Sequence, residues 1–114
     1  MTTDLVATNL RLEHGVAPTE LDHVVDVFAK LDQHLRPFAN RIVDLRLHVK
    51  ERKTPSQHTT LEADIAGLSH LVATSDDPDF DRALAEVRDE LARQLTDAKD
   101  RADPHHGKAH QGHG

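Results

Sequence analysis

Residues 43–50 alternate without exception between apolar and polar side chains, and this stretch constrains the fold more than any other. Successive side chains of a β-strand point to opposite faces of the sheet. The pattern therefore predicts a strand, expected over residues 41–50, with one face buried and the other in water. The apolar side chains are Val43, Leu45, Leu47 and Val49, and the polar ones are Asp44, Arg46, His48 and Lys50.

Three further strands are predicted around this one. Residues 59–65 alternate in the same way, residues 70–75 form a last short strand, and the turn-like residues 66–69 separate them. Two neighbouring strands with so short a link should pair as a hairpin. Residues 4–12 alternate less regularly and predict a first strand.

Two amphipathic helices complete the pattern, because apolar residues recur at spacings of three and four. The first is predicted over residues 19–35 and ends before Pro37, since the residue preceding a proline avoids helical geometry. The second follows an acidic cap at residues 76–79 and stops at Pro104. Its stripe consists of Phe80, Leu84, Val87, Leu91, Leu95 and Ala98.

The resulting order, β-α-β-β-β-α, predicts an α+β fold. Two amphipathic helices bury their apolar stripes most simply against one face of a four-stranded sheet, which gives a two-layer sandwich. We expect residues 1–103 to form this single domain. Residues 104–114 are rich in His and Gly and hold no large apolar side chain, so we expect a disordered tail.

The sequence offers little for catalysis. It has no Cys, no glycine-rich phosphate loop and no Gly-x-Ser-x-Gly or His-Glu-x-x-His motif, so we expect neither an enzyme nor a cofactor nor a small-molecule substrate. The tail histidines are weak candidates for a metal ion, since an unfolded segment loses entropy when it wraps a metal, and no metal site is predicted. They are His105, His106, His110 and His113.

Charge is distributed unevenly along the chain. The formal net charge is -6, which argues against indiscriminate coating of nucleic acid. Residues 36–53 nevertheless hold six basic and two acidic residues. This basic segment is either a solvated strand and hairpin tip or a binding patch. The N-terminus lacks the pattern of a signal peptide and no apolar run could span a membrane, so we expect a cytoplasmic protein with no membrane partner.

Several segments resemble a known family when they are taken together. Residues 71–75 (Leu-Val-Ala-Thr-Ser), the acidic cap, residues 80–84 (Phe-Asp-Arg-Ala-Leu) and residues 91–95 (Leu-Ala-Arg-Gln-Leu) are similar to the ribosome hibernation-promoting factor family, which includes ribosome-associated inhibitor A. Residues 28–32 (Phe-Ala-Lys-Leu-Asp) are similar to its first helix. The similarity covers about residues 4–102, and the chain resembles a short-type member.

The resemblance implies a fold like a double-stranded-RNA-binding domain and a ribosome-associated translation inhibitor. Such a protein binds the decoding channel of the small ribosomal subunit, on 16S rRNA, and blocks messenger and transfer RNA under stress or in stationary phase. We expect a monomer off the ribosome. The candidate RNA-binding residues are Lys30, Arg41, Arg46, Lys50, Arg52, Lys53, Arg93, Lys99 and Arg101.

The second helix departs from the family pattern. Glu90 and Asp97 stand where other members often carry Lys, and each lost cation weakens phosphate binding. Two alternatives therefore stay open. One is a divergent protein-interaction module that does not bind the ribosome, and the other is a metal-binding accessory protein that uses its tail.

Overall fold

The computed structural model describes residues 4–102 of the chain. The predicted tail, with its four candidate metal ligands and the stop at Pro104, lies outside these residues. The strands are β1 (Leu10–Leu12), β2 (Val43–Lys50), β3 (His58–Ile65) and β4 (Leu71–Ser75). The helices are α1 (Leu5–Asn9), α2 (Leu21–Phe28), α3 (Leu31–Leu35) and α4 (Phe80–Ala102), with 3-10 turns at Pro18–Glu20 and Arg36–Phe38.

The strands form one mixed sheet in the order β1-β2-β3-β4. β1 runs parallel to β2, and the other neighbours are antiparallel, with Leu47 opposite Leu61 and Leu61 opposite Ala73. The predicted α+β fold and the β3–β4 hairpin are thus confirmed. The alternation in β2 has the expected effect, because its apolar residues are all buried and its polar residues lie on the opposite, open face.

The core lies between the sheet and the helices. α4 packs along β4 and β3, and α2 and α3 pack beside it. The side chains of Phe28, Leu47, Leu61, Leu84 and Leu91 are fully excluded from solvent. The predicted start of α4 is also confirmed, since the Asp79 carboxylate accepts the Arg82 backbone N–H at 3.0 Å and caps the helix.

The N-terminal segment differs from the prediction, because residues 5–9 form a short helix and only residues 10–12 form a strand. Leu5 and Val6 are both buried, whereas consecutive residues of a half-exposed strand would point to opposite faces. The Asp32 carboxylate accepts the Val6 N–H at 2.8 Å and fixes this turn against α3.

The predicted helix over residues 19–35 is divided into two. Between α2 and α3 the hydrogen bonds tighten to the 3-10 pattern, with the Asp32 N–H donating to the Ala29 carbonyl at 3.1 Å. Side chains three residues apart align in a 3-10 turn, and here Phe28 and Leu31 are both fully buried. The predicted end of the helix before Pro37 agrees with the end of α3 at Leu35.

Candidate nucleic-acid interface

The candidate RNA-binding cations fall into two groups in the structure, those that pair with a carboxylate and those that do not. Arg46, Arg52 and Arg93 each form ion pairs with carboxylates. Within residues 4–102 the other candidates form none: Lys30, Arg41, Lys50, Lys53, Lys99 and Arg101. An anion such as an RNA phosphate can approach these six without displacing a carboxylate.

Arg46 lies in the middle of the open sheet face. Its guanidinium is within 3.4 Å of Asp44, 3.5 Å of Glu62 and 2.5 Å of Asp64. The register places Glu62 directly opposite Arg46, which explains the contact. Three surrounding carboxylates leave this cation little net field with which to attract a phosphate.

Arg52 is held at the β2–β3 loop and is only 19% exposed. Its two terminal nitrogens donate to the two Glu20 oxygens at 3.0 and 2.7 Å, and one of them also donates to the Gly15 carbonyl at 2.9 Å. The forked bond to Arg52, together with the Ala17 N–H, lowers the pKa of Glu20 to about 2. Arg52 therefore has a structural role here.

Arg93 sits on the exposed face of α4 between two acids. It contacts Glu90 at 2.5 Å and Asp97 at 3.3 Å, at the helical spacings of three and four residues. The bond to Arg93 lowers the pKa of Glu90. Glu90 and Asp97, the two acids that depart from the family pattern, therefore both pair with Arg93. Its charge is largely neutralised by these two carboxylates.

Unpaired cations lie together at one end of the domain, which we call the cationic end and which consists of Lys30, Arg36, Arg41, Lys99 and Arg101. Arg41 lies two residues before the start of β2, and Lys99 and Arg101 lie in the last turns of α4. All of its members are exposed, and none has a carboxylate partner within residues 4–102.

Shared neighbours show that these cations adjoin one another. Lys30 and Arg36 line one groove together with Gln33, and Gln33 also lines the neighbouring groove with Lys99. On the other side of α4, Arg101 faces the β3–β4 turn. Arg41 lies on the same turn, since its guanidinium donates to the Ala66 carbonyl at 3.1 Å.

Three carboxylates also border the cationic end. Asp4 and Asp32 line the groove of Lys30 and Arg36, and Asp100 lines the groove of Lys99. The Asp32 carboxylate is engaged with the Val6 N–H. With five cations against three acids, the cationic end keeps a positive balance in a chain whose net charge is -6.

The two remaining unpaired candidates, Lys50 and Lys53, lie at the opposite end of the sheet. β2, which is eight residues or about 26 Å long, begins two residues after Arg41 and ends at Lys50. The buried Gln57 side chain holds their loop, accepting the Lys53 N–H at 3.1 Å and donating to the Asp77 carbonyl at 3.1 Å. Acids lie at this end as well, namely Glu51 in the same loop and Asp76, Asp77 and Asp79 between β4 and α4.

Sequence reasoning did not single out Arg36 or Gln57. Arg36 belongs to the basic segment of residues 36–53, but only the fold brings it beside Lys30. Gln57 carries no charge or motif, and its role depends on burial to 1% exposure. Its position two residues before the predicted strand over residues 59–65 is the one signal that could have drawn attention to it.

Other site types find little support in residues 4–102. There, no group of three or more His, Asp or Glu side chains is arranged to hold a metal ion. No helix in the same range is both long and apolar enough to cross a membrane.

The comparisons with known proteins address the family directly. The sequence profile of the sigma 54 modulation protein / S30EA ribosomal protein family matches residues 16–103, which is most of the chain. The chain belongs to this family. This match confirms the resemblance to the ribosome hibernation-promoting factors that was noted in the sequence. Membership of this family makes the protein a ribosome-associated one.

Solved structures support the fold of this family member. The N-terminal domain of Thermus thermophilus Protein Y is 17% identical with a TM-score of 0.59, and the match covers 78% of this chain and 97% of that one. A ribosomal subunit interface protein from Coxiella burnetii is 13% identical with a TM-score of 0.55, covering 80% and 97%. A search of curated proteins gave no match.

Proposed function

We propose that this family member binds 16S rRNA in the decoding channel of the small ribosomal subunit, under stress or in stationary phase, and excludes messenger and transfer RNA from it. The observation that carries the proposal is the cationic end, five exposed cations without carboxylate partners within residues 4–102, in a protein of a ribosome-associated family. The mechanism is steric and includes no covalent step. The protein acts in the cytoplasm as a monomer off the ribosome.

The charge distribution favours one orientation on RNA. Exposed charges are screened over about 8 Å at physiological salt, so a phosphate senses the nearest cations rather than the net charge of the whole chain. The cationic end therefore faces the RNA. The far end of β2, where Lys50 and Lys53 lie among Glu51 and Asp76, points away from it.

Recognition depends on RNA shape and phosphates rather than on base stacking. The chain has no Trp or Tyr and only three Phe. Phe28 and Phe38 are buried, and Phe80 is covered by the Arg52 guanidinium. Without an exposed aromatic ring there is no platform on which unpaired bases could stack, so cations must supply the affinity.

The proposal ranks the candidate residues. Lys30, Arg36, Arg41, Lys99 and Arg101 contact phosphates first, and Lys50 and Lys53 contribute only if RNA also reaches the opposite end. Arg46, Arg52 and Arg93 would each have to exchange a carboxylate for a phosphate.

Co-sedimentation with purified small subunits over a range of salt concentrations tests the proposal. The double variant Lys99→Gln/Arg101→Gln should bind more weakly, and the slope of log K against log salt should become shallower by about one for each phosphate that the variant no longer binds. The matched control is Arg93→Gln, which removes a cation from the same helix but one already paired with acids. Equal effects of the two variants would argue against the cationic end.

The two alternatives remain as outcomes of related measurements. A protein that stays at the top of the gradient at every salt concentration is a protein-interaction module, for which the acidic face of α4 around Glu90 and Asp97 is the candidate surface. Loss of zinc uptake on deletion of residues 105–114, measured by calorimetry, would support the metal-binding alternative.

A further inference from the structure

A small cleft lies at the cationic end, between the β3–β4 turn and the last turns of α4. Its walls are Gly67, Leu68, Ser69, Ala98 and Arg101, and its volume is about 230 Å³. Pockets for drug-sized ligands or cofactors run from about 300 to 1,000 Å³, so this cleft suits a smaller group.

The cleft walls combine three kinds of chemistry. Leu68 and Ala98 are apolar, and both belong to or pack against the core. Ser69 is exposed, and within residues 4–102 neither its hydroxyl nor its backbone N–H makes a hydrogen bond. Arg101 is an exposed cation without a carboxylate partner in that range. An apolar wall can pack against a base, free donors can bond to the edge of the base, and a cation can bind a phosphate. Together they match the chemistry of one nucleotide.

The turn that forms one wall is fixed in place. The Leu68 N–H donates to the Ile65 carbonyl at 2.9 Å, and the Ala66 N–H donates to the Ile42 carbonyl at 3.0 Å. Gly67 has a φ of +88°, a conformation that L side chains rarely adopt, and the Arg41 guanidinium packs where a Cβ would lie. The cleft is therefore largely pre-formed and has a second cation at its rim.

We propose that this cleft receives one unpaired nucleotide of RNA. The base packs against Leu68 and Ala98, Ser69 bonds to the edge of the base, and Arg101 binds the adjoining phosphate. The inference rests on the proposed function, because the RNA supplies the nucleotide. It adds a site for a base to a surface that otherwise binds only phosphates, and a base that is paired within a duplex could not enter.

Backbone amide chemical shifts of the ¹⁵N-labelled full chain provide the test. A single-stranded adenosine trinucleotide should shift the amides of residues 67–69 and Ala98 and should saturate. Among the residues that line the cleft, inorganic phosphate alone should shift only the Arg101 side chain. If phosphate reproduces the whole pattern, the cleft is an anion site without a base, and the proposal is wrong.

Two variants and one control sharpen the test. Arg101→Gln should weaken trinucleotide binding about tenfold, the loss expected for one charge-assisted hydrogen bond, and Ser69→Ala should weaken it severalfold. Arg82→Gln removes an exposed cation at the opposite end of the sheet, outside the proposed RNA-binding surface, and should leave the trinucleotide shifts unchanged. All three positions are exposed, and the same spectra report whether each variant is folded.

The outcomes separate this inference from the proposed function. Binding to small subunits without any shift at residues 67–69 on addition of the trinucleotide would overturn the nucleotide site alone. Saturable shifts at the cleft in a protein that does not sediment with small subunits would support the cleft and overturn the proposed function.

Discussion

The guanidinium carbon of Arg52 lies 3.7 Å from the centre of the Phe80 ring. Phe80 is the first residue of α4 and Arg52 belongs to the β2–β3 loop, so the stacked pair joins the helix to the sheet. The same guanidinium forks onto Glu20, at the end of a 3-10 turn. One side chain thus fastens three segments that are distant in sequence.

Replacing Arg52 should therefore lower stability. Arg52→Ala removes a stacked cation, two bonds to Glu20 and one to the Gly15 carbonyl, and we expect a loss of about 2 kcal/mol in the free energy of unfolding. Urea denaturation measures it. The matched control is Arg82→Ala, because Arg82 pairs with Asp77 while 72% exposed and should cost less than about 0.5 kcal/mol. Equal losses would contradict a structural role for Arg52.

Glu20 should make stability depend on acid pH. Its pKa of about 2 in the folded protein lies below the ordinary 4.5, so its contribution is present above pH 4.5 and disappears as the pH falls toward 2. With discounting for partial exposure we expect about 2 kcal/mol across this window. The measurement is the difference in unfolding free energy between the wild type and Glu20→Gln. That difference should shrink as the pH falls, and a constant difference would count against the pairing.

Gly15 and Gly67 should tolerate substitution differently, although both have positive φ. A Cβ at Gly15 would lie 1.9 Å from the Val49 carbonyl oxygen, a backbone atom that cannot yield without disturbing β2. At Gly67 it would meet the end of the flexible Arg41 side chain at 2.7 Å. Gly15→Ala should lose more than about 2 kcal/mol and Gly67→Ala about 1 kcal/mol, as measured by chemical denaturation. The reverse order would show that the loop at Gly15 can rearrange.

The open sheet face should hold a histidine that protonates above its usual range. Asp64 and, more weakly, Glu62 bond to the His70 ring at 2.6 and 2.9 Å and raise its pKa above 6.5. Its stabilising contribution is present below pH 6.5 and is lost as the pH rises through the folded-state pKa. NMR titration of His70 should give a lower midpoint in Asp64→Asn than in the wild type. Asp76→Asn, which removes a carboxylate bonded to His58 instead, serves as the control, and an unshifted midpoint in Asp64→Asn would refute the assignment.

Local periodicity was enough to predict most of the sheet and the long helix. The alternation over residues 43–50 and the stripe from Phe80 to Ala98 depend only on which side chains avoid water, and both elements form where predicted. The prediction was wrong at residues 5–9, because that helix depends on a contact between Val6 and the distant Asp32. No local pattern reports such a contact.

The candidate site was predicted less completely. Basic residues can be read from the sequence, but their ion pairs cannot. Arg46 and Lys50 stand four residues apart on one face of one strand, yet Arg46 is surrounded by acids and Lys50 has no carboxylate partner within the described residues. Cross-strand register decides the difference, since it places Glu62 opposite Arg46 and His58 opposite Lys50.

The sequence by itself determined the layer order, the faces of the elements and the family, because hydrophobic periodicity and short motifs are local properties of the chain. Only the tertiary structure decided which cations stay available. Arg36 and Lys99 are brought to one end by the packing of α3 on α4, while Arg52 is committed to Glu20 across the fold. The physical reason is that electrostatic pairing depends on distance in space, and folding alone sets that distance.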